Sequence, residues 1–539
     1  MPSSMRCRRH SLTWQPSSEA ELPPVSGRTW RICGVLALAA VLGVPMAALA
    51  RDAWAAVRMN PETLRLAIPA GRSLMLLLRS CALSAATALL CLAIGTAGAL
   101  FLLAAPARLR WLRMVIILPV IIPPYLHAVA WMRIGEGLRV LLRGGGLALP
   151  PFQGFWAALW VQVMVYAPLM AGVALAAWSM VDPLLVDAGL VHGSPQRVLR
   201  RILLPLMWPV LTAGTLLVFV LCMGDLSVPS LFSVNTYALE LYARFSASGR
   251  TADVTLLAVP VVLLCLAALA PAMRSIATVL STPSARDGAA SSAWRATGVV
   301  RAGALCGTAV LAVDVAGLCG SLLAGAQGAT WAAVHDALPQ ALVSLRTAGG
   351  ACLVSLVLAL TAGPLVAAGN RSGRWMAAFL LVPLALPGPL AGTGASLAGT
   401  LAGGLWKAAA PALLLAFRFG PFACLMTGAR LARLDSAAAE AGRLFERRRG
   451  DYVRCIWLPT LGPVLVAALL LVAILGIGEV SGTLLVMQPG QQPLALAIYN
   501  YLHYGGSGTV SALCLLLLAG LLALMAPALF LWNKGWRRA

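Results

Sequence analysis

The 539-residue chain is 60% hydrophobic and 11% charged, whereas soluble domains carry about 25% charged residues, so a water-soluble fold is excluded. Forty Lys plus Arg against eighteen Asp plus Glu give a formal charge of +22. The cations nevertheless lie in short pieces between apolar runs, without the interleaved aromatics of a nucleic-acid groove, which excludes nucleic acid as a partner.

Residues 1–31 read as a polar, basic tail that includes Arg6, Arg8, Arg9 and His10. The first apolar run follows from Ile32 to Ala50 and ends in small residues of the kind cleaved after a leader. Its long polar lead and the many spans after it point instead to a retained membrane helix. Further runs lie near 80–104, 114–132, 154–180, 208–228, 254–273, 303–326, 343–368, 376–400, 409–429, 461–482 and 508–532. At about 20 residues per span, the sequence predicts an all-α polytopic membrane protein of about twelve transmembrane helices. Trp30, Trp54, Trp111, Trp178, Trp208, Trp375 and Trp532 fall near run ends, where amphipathic rings favour the headgroup layer.

With the N-terminus inside, the pieces expected to face the cytoplasm hold 27 of the 40 Lys plus Arg, as the positive-inside rule requires. Both termini are then cytoplasmic. Residues 275–301, rich in Ser, Thr, Pro, Gly and Arg, are the internal stretch that reads as a linker. They separate a first transmembrane domain (32–274) from a second (302–539).

The halves align at their punctuation. Leu204-Pro205, Pro209, Gly224-Asp225 and Ser227 match Leu458-Pro459, Pro463, Gly478-Glu479 and Ser481 at a constant shift, and Pro119 and Pro123 match Pro383 and Pro387. Such symmetry marks duplicated membrane bundles. Just before each Leu-Pro lies a polar helical loop. One contains Asp187-Ala188-Gly189 and Gly193; the other contains Glu440-Ala441-Gly442, Glu446 and Ile456. Small residues allow close packing against a partner, Gly permits a sharp turn, and Pro205 and Pro459 are expected to stop the loop helix before the next span.

Both loops resemble the coupling loop of ATP-binding-cassette (ABC) importer permeases. The fused two-times-six arrangement is similar to the iron(III), thiamine and aminoalkylphosphonate permease group. The departures are Asp187 for Glu, Gly189 and Gly442 for Ala, and Glu446 where the family has Gly. The resemblance implies a bacterial inner-membrane subunit whose loops dock on a separate ABC ATPase subunit, a pair of identical copies. A periplasmic substrate-binding protein would deliver the solute, with iron(III) the leading substrate and thiamine or a phosphonate the alternatives. An ion-coupled secondary transporter is the rival reading, because those carriers also duplicate bundles and bury acids.

No phosphate-binding loop, nucleophile elbow or zinc-spaced histidine set appears. The chain is therefore read as a transporter subunit and not an enzyme, with no cofactor. Its twelve cysteines are scattered singly and read as small apolar fillers, not metal ligands. Four ionisable residues stand out within apolar runs: Asp225, Asp314, Arg418 and Glu479. Each costs a few kcal/mol in lipid, so each should face the bundle interior. Asp225 and Glu479 could line the translocation path or could cap a helix end. Arg418, a cation in one half only, calls for a partner such as Glu479. Tyr125 and His127 follow the Pro123-Pro124 break, where exposed backbone could line a cavity.

Overall fold

The computed structural model describes residues 28–104, 118–281, 298–326, 330–368, 370–432, 458–504 and 507–536. Regular structure among them is entirely helical. Helix α1 (Arg28–Leu38) passes through a π turn (Ala39–Gly43) into α2 (Val44–Met59), followed by α3 (Arg72–Ala104). Then come α4 (Pro124–Gly144), α5 (Phe155–Trp178), the short α6 (Pro183–His192) and α7 (Pro195–Val198), and a second π turn (Leu199–Leu203) that runs into α8 (Leu204–Gly224). The half closes with α9 (Ser227–Leu231), α10 (Tyr237–Ser248) and α11 (Thr251–Ser281).

The described helices of the second half follow a similar order. It contains α12 (Gly298–Gly325), α13 (Thr330–Asp336), α14 (Leu338–Ala367), α15 (Arg371–Ala385), α16 (Gly388–Ala402) and α17 (Gly404–Ala432). After the undescribed 433–457 come α18 (Leu458–Ile477), α19 (Leu494–Tyr504) and α20 (Ser507–Trp536). Of the expected linker, α11 takes up the first part as helix and 282–297 lie outside the described residues.

Ten of the described helices are long and apolar enough to span a membrane, or eleven if the bent pair α15–α16 is one span. About twelve spans were expected, and the difference lies in the third span of each half. There the chain bends by 103° between α15 and α16, where Leu386 is extended (φ −81°, ψ 123°) ahead of Pro387. Proline disfavours a helical residue before it. In the first half Pro123 is likewise extended (ψ 143°) and α4 restarts at Pro124, whose missing N–H falls where helices leave N–H groups free.

Helices α3, α5 and α8 pack on one another, as do their counterparts α14, α17 and α18. The first span of each half is exchanged: α1 lies on α14 and α2 on α16, while α12 lies on α3 and α4. Both exchanged helices seat through glycine. A Cβ on Gly34 would stand 2.6 Å from the Thr361 carbonyl oxygen, and one on Gly307 would stand 2.8 Å from Gly98 N and from the Ile94 carbonyl oxygen. Without apolar transfer between lipid and helix surface to drive association, such close backbone contact is what holds membrane helices together. Gly307→Leu is expected to cost at least the roughly 1–3 kcal/mol of an overpacked core, because backbone cannot yield as a side chain can. An unchanged thermal midpoint in detergent would refute this seat.

Candidate functional site

The two halves meet at their repeat positions. A Cβ on Gly478 would lie 2.6 Å from the Pro123 ring, and one on Gly224 would lie 3.7 Å from Pro387 Cα. Each half therefore sets its proline break against the glycine that ends the other half's fifth span. The two acids that follow these glycines share this region.

Asp225 is buried (8% exposed). Its Oδ1 accepts from Ser227 N at 2.8 Å and from Ser227 Oγ at 2.7 Å, and Gln162 Nε2 lies 3.5 Å from its Oδ2. Glu479 does the same in its own half, since its Oε1 accepts from Gly482 N at 2.8 Å. Both acids thus satisfy free N–H groups of the turn that follows, which accounts for the recurring acid in the two copies.

Glu479 has a further partner. Arg418, from the middle of α17, forms an ion pair with it through Nη1, and the two side chains are 16% and 10% exposed. The guanidinium also lies over the Phe419 ring, 5.4 Å from its centroid. Ser230 Oγ and Tyr499 Oη lie 3.0 Å apart across the halves. A polar island of both signs therefore sits where the halves join.

His127 and Tyr125 have other surroundings. His127 Nδ1 lies 3.2 Å from Asp314 Oδ1, and Trp131 Nε1 donates to the same oxygen at 3.0 Å. His127 and Asp314 are fully buried. His127 Nδ1 and Trp131 Nε1 therefore converge on one carboxyl oxygen. Asp314 belongs to the exchanged helix α12, and this contact fastens α12 to α4. Tyr125, 1% exposed, joins the apolar cluster that includes Leu318, Ile477 and Cys514.

In the first polar loop, Asp182 caps α6 by accepting from Leu184 N at 2.9 Å. Asp187 and Ala188 are exposed, while Gly189 faces inward and Gly193 ends the helix in extended conformation. A Cβ on Gly189 would stand 2.6 Å from Ile202 Cδ1, so glycine lets α6 fold flat on the segment that leads into α8. Leu184, Leu185 and Val191 are left at 74%, 51% and 79% exposed. The residue Gln196 beside Gly298 places this loop at the same end of the bundle as the start of α12.

The expectation that Pro205 stops the loop helix is corrected. Residues Pro195–Gly224 form one continuous helix, with the π turn Leu199–Leu203 just ahead of Leu204 and Pro205. The wider turn re-routes the hydrogen-bond ladder where proline lacks its N–H. In the second copy, Glu440, Ala441, Gly442, Glu446 and Ile456 lie outside the described residues, and Leu458 and Pro459 open α18. Sequence reasoning missed Gln162 beside Asp225 and the Ser230–Tyr499 contact across the halves. Polar groups on otherwise apolar helices were the only signal for them.

No family model matches the chain, and no solved structure does. Over 200 residues, 36% of this chain and 74% of the relative, the sequence is 28% identical to a protein of Salmonella paratyphi A named as a candidate 2-aminoethylphosphonate transport system permease protein, PhnV.

Proposed function

We propose that this chain is the membrane permease of an ABC importer, built as two homologous six-span halves with both termini and the linker in the cytoplasm. The first polar loop carries the reading. It is a capped helix folded flat by Gly189, at one end of the bundle, with Leu184, Leu185 and Val191 presented outward, a surface suited to a groove on an ATPase subunit. The relative supports the same kind of protein. Two hundred matched residues are 74% of it, which makes it about 270 residues long, half of the 539 here.

Its name also favours an organophosphonate over the iron(III) expected from the sequence, and we take a phosphonate as the substrate. A periplasmic binding protein delivers it, and a pair of identical ATPase subunits drives the cycle from the cytoplasmic side. The second loop, with Glu440, Ala441 and Gly442, docks the other ATPase copy.

Gly189→Leu is expected to lift α6 off Ile202 and to lower ATPase co-purification and ATP-driven uptake in proteoliposomes by about ten-fold, the equivalent of about 1.4 kcal/mol of docking free energy. Full uptake by this variant would remove the docking role. Uptake that follows an ion gradient with no ATPase present would establish the secondary-transporter reading instead.

A further inference from the structure

We propose that the outward side of α3 binds an anionic phospholipid, its phosphate held between Arg72 and Arg79 and an acyl chain laid along Leu78, Ala82 and Leu89. One side of this helix enters the bundle, where Leu76, Ser80, Leu83 and Ser84 are buried. On the opposite side Met75, Leu78 and Leu89 are 52%, 60% and 62% exposed. Between residues 72 and 90 that exposed side is apolar except for Arg72 and Arg79. Seven residues place the two arginines on one face with Cα atoms about 10 Å apart along the axis, a gap that two long side chains close on a single phosphate.

Arg79 is the residue that calls for a ligand. Its setting Leu78-Arg79-Ser80 recurs as Leu345-Arg346-Thr347 near the start of α14, where Arg346 donates to Gln491 Oε1 at 2.7 Å. Among the described residues no hydrogen bond or ion pair reaches Arg79. A cation on an apolar surface is costly without a counter-charge, and its long stem lets the guanidinium climb to the headgroups.

The level of Arg79 suits that partner. Helices α3 and α5 run parallel, since Thr87 Oγ1 lies 3.3 Å from Gln162 Oε1 and a Cβ on Gly95 would stand 2.8 Å from Ala171 N. Arg79 therefore lies near the level of Trp156, 77% exposed at the start of α5, and such rings mark the headgroup layer. This is the end of the bundle opposite α6, which follows the far end of α5.

Arginines outnumber acids around the site. Arg72 meets Glu240 at 3.2 Å, and one turn further along α10 Arg244 meets Asp253 at 3.6 Å, which Arg250 also meets at 3.7 Å. Asp52 accepts from Thr251 beside them, so Arg72, Arg79, Arg244 and Arg250 stand against Asp52, Glu240 and Asp253. The surplus cation selects an anionic over a zwitterionic headgroup, and a guanidinium fork matches phosphate oxygens. The exposed leucines below favour a lipid over a soluble acidic protein.

The test is native mass spectrometry of the full chain released from micelles, titrated with phosphatidylglycerol or phosphatidylethanolamine of the same acyl chains. Wild type is expected to retain its first phosphatidylglycerol about ten-fold more tightly than phosphatidylethanolamine, and Arg79→Gln to lose that preference, the size of one charged hydrogen bond. Arg79→Lys keeps the charge without the fork and should retain part of it. Arg346→Gln, altered where the protein already supplies a partner, should leave it unchanged.

Equal retention of the two lipids by wild type, or an undiminished preference in the double variant Arg72→Gln/Arg79→Gln, would overturn the proposal. A polyglutamate peptide that binds wild type but not the double variant, with no lipid preference in either, would assign these arginines to an acidic protein and overturn it as well. Uptake is not the readout, so the outcome is independent of the permease reading.

Discussion

Glu479→Leu should lower stability by about 3–5 kcal/mol, the cost of stranding one member of a buried ion pair. Arg418 would be left in the bundle without the carboxylate it now meets, and Gly482 N would lose its acceptor. The double variant Arg418→Leu/Glu479→Leu should recover most of that loss, because a buried pair exchanged for packed apolar groups is often near neutral. Cys91, Cys222, Cys265, Cys424 and Cys514 are buried and Cys33, Cys306 and Cys319 exposed, so the rise in thiol-reactive dye signal above that of the folded protein follows unfolding of both variants on heating. A single variant as stable as wild type, or a double variant no better than the single, would mean that the pair does not hold the two charges as described.

The second large effect is expected at Asp314. Its Oδ1 takes bonds from both His127 and Trp131 in a fully buried setting. Asp314→Leu deprives two buried donors at once, each costing about 1–3 kcal/mol when left unsatisfied. Asp314→Asn keeps an acceptor and should lose less. The measurement is the same melt in detergent, together with the yield of folded protein. If the Leu and Asn variants melt together, the hydrogen bonds are not what fastens α12 to α4.

Much of this architecture was legible because the sequence writes it twice. The matching of Pro123 with Pro387 and of Gly224 with Gly478 is realised as reciprocal contacts between the halves. Arg418 signalled its partner by standing alone in an apolar run, since lipid leaves a cation few alternatives. The acids recur with a following Ser in each copy, and both satisfy the turn beyond them.

Other features were hidden for physical reasons. Hydropathy sums over a window and does not register a bend, so the α15–α16 pair read as one straight span. Pro205 read as a helix stop because the rule assumes an α-type ladder, and a π turn had already re-routed it. The partner of Asp314 lies 187 residues away, on a helix of the other half. No local pattern reports such an exchange.

That exchange bears on how the molecule can move. Each half grips the leading helix of the other at a glycine whose backbone sits against backbone, so pulling the halves fully apart would mean extracting two helices from two grooves together. A relative movement of the halves that keeps both seats closed is confined to a shallow rocking about these two rods.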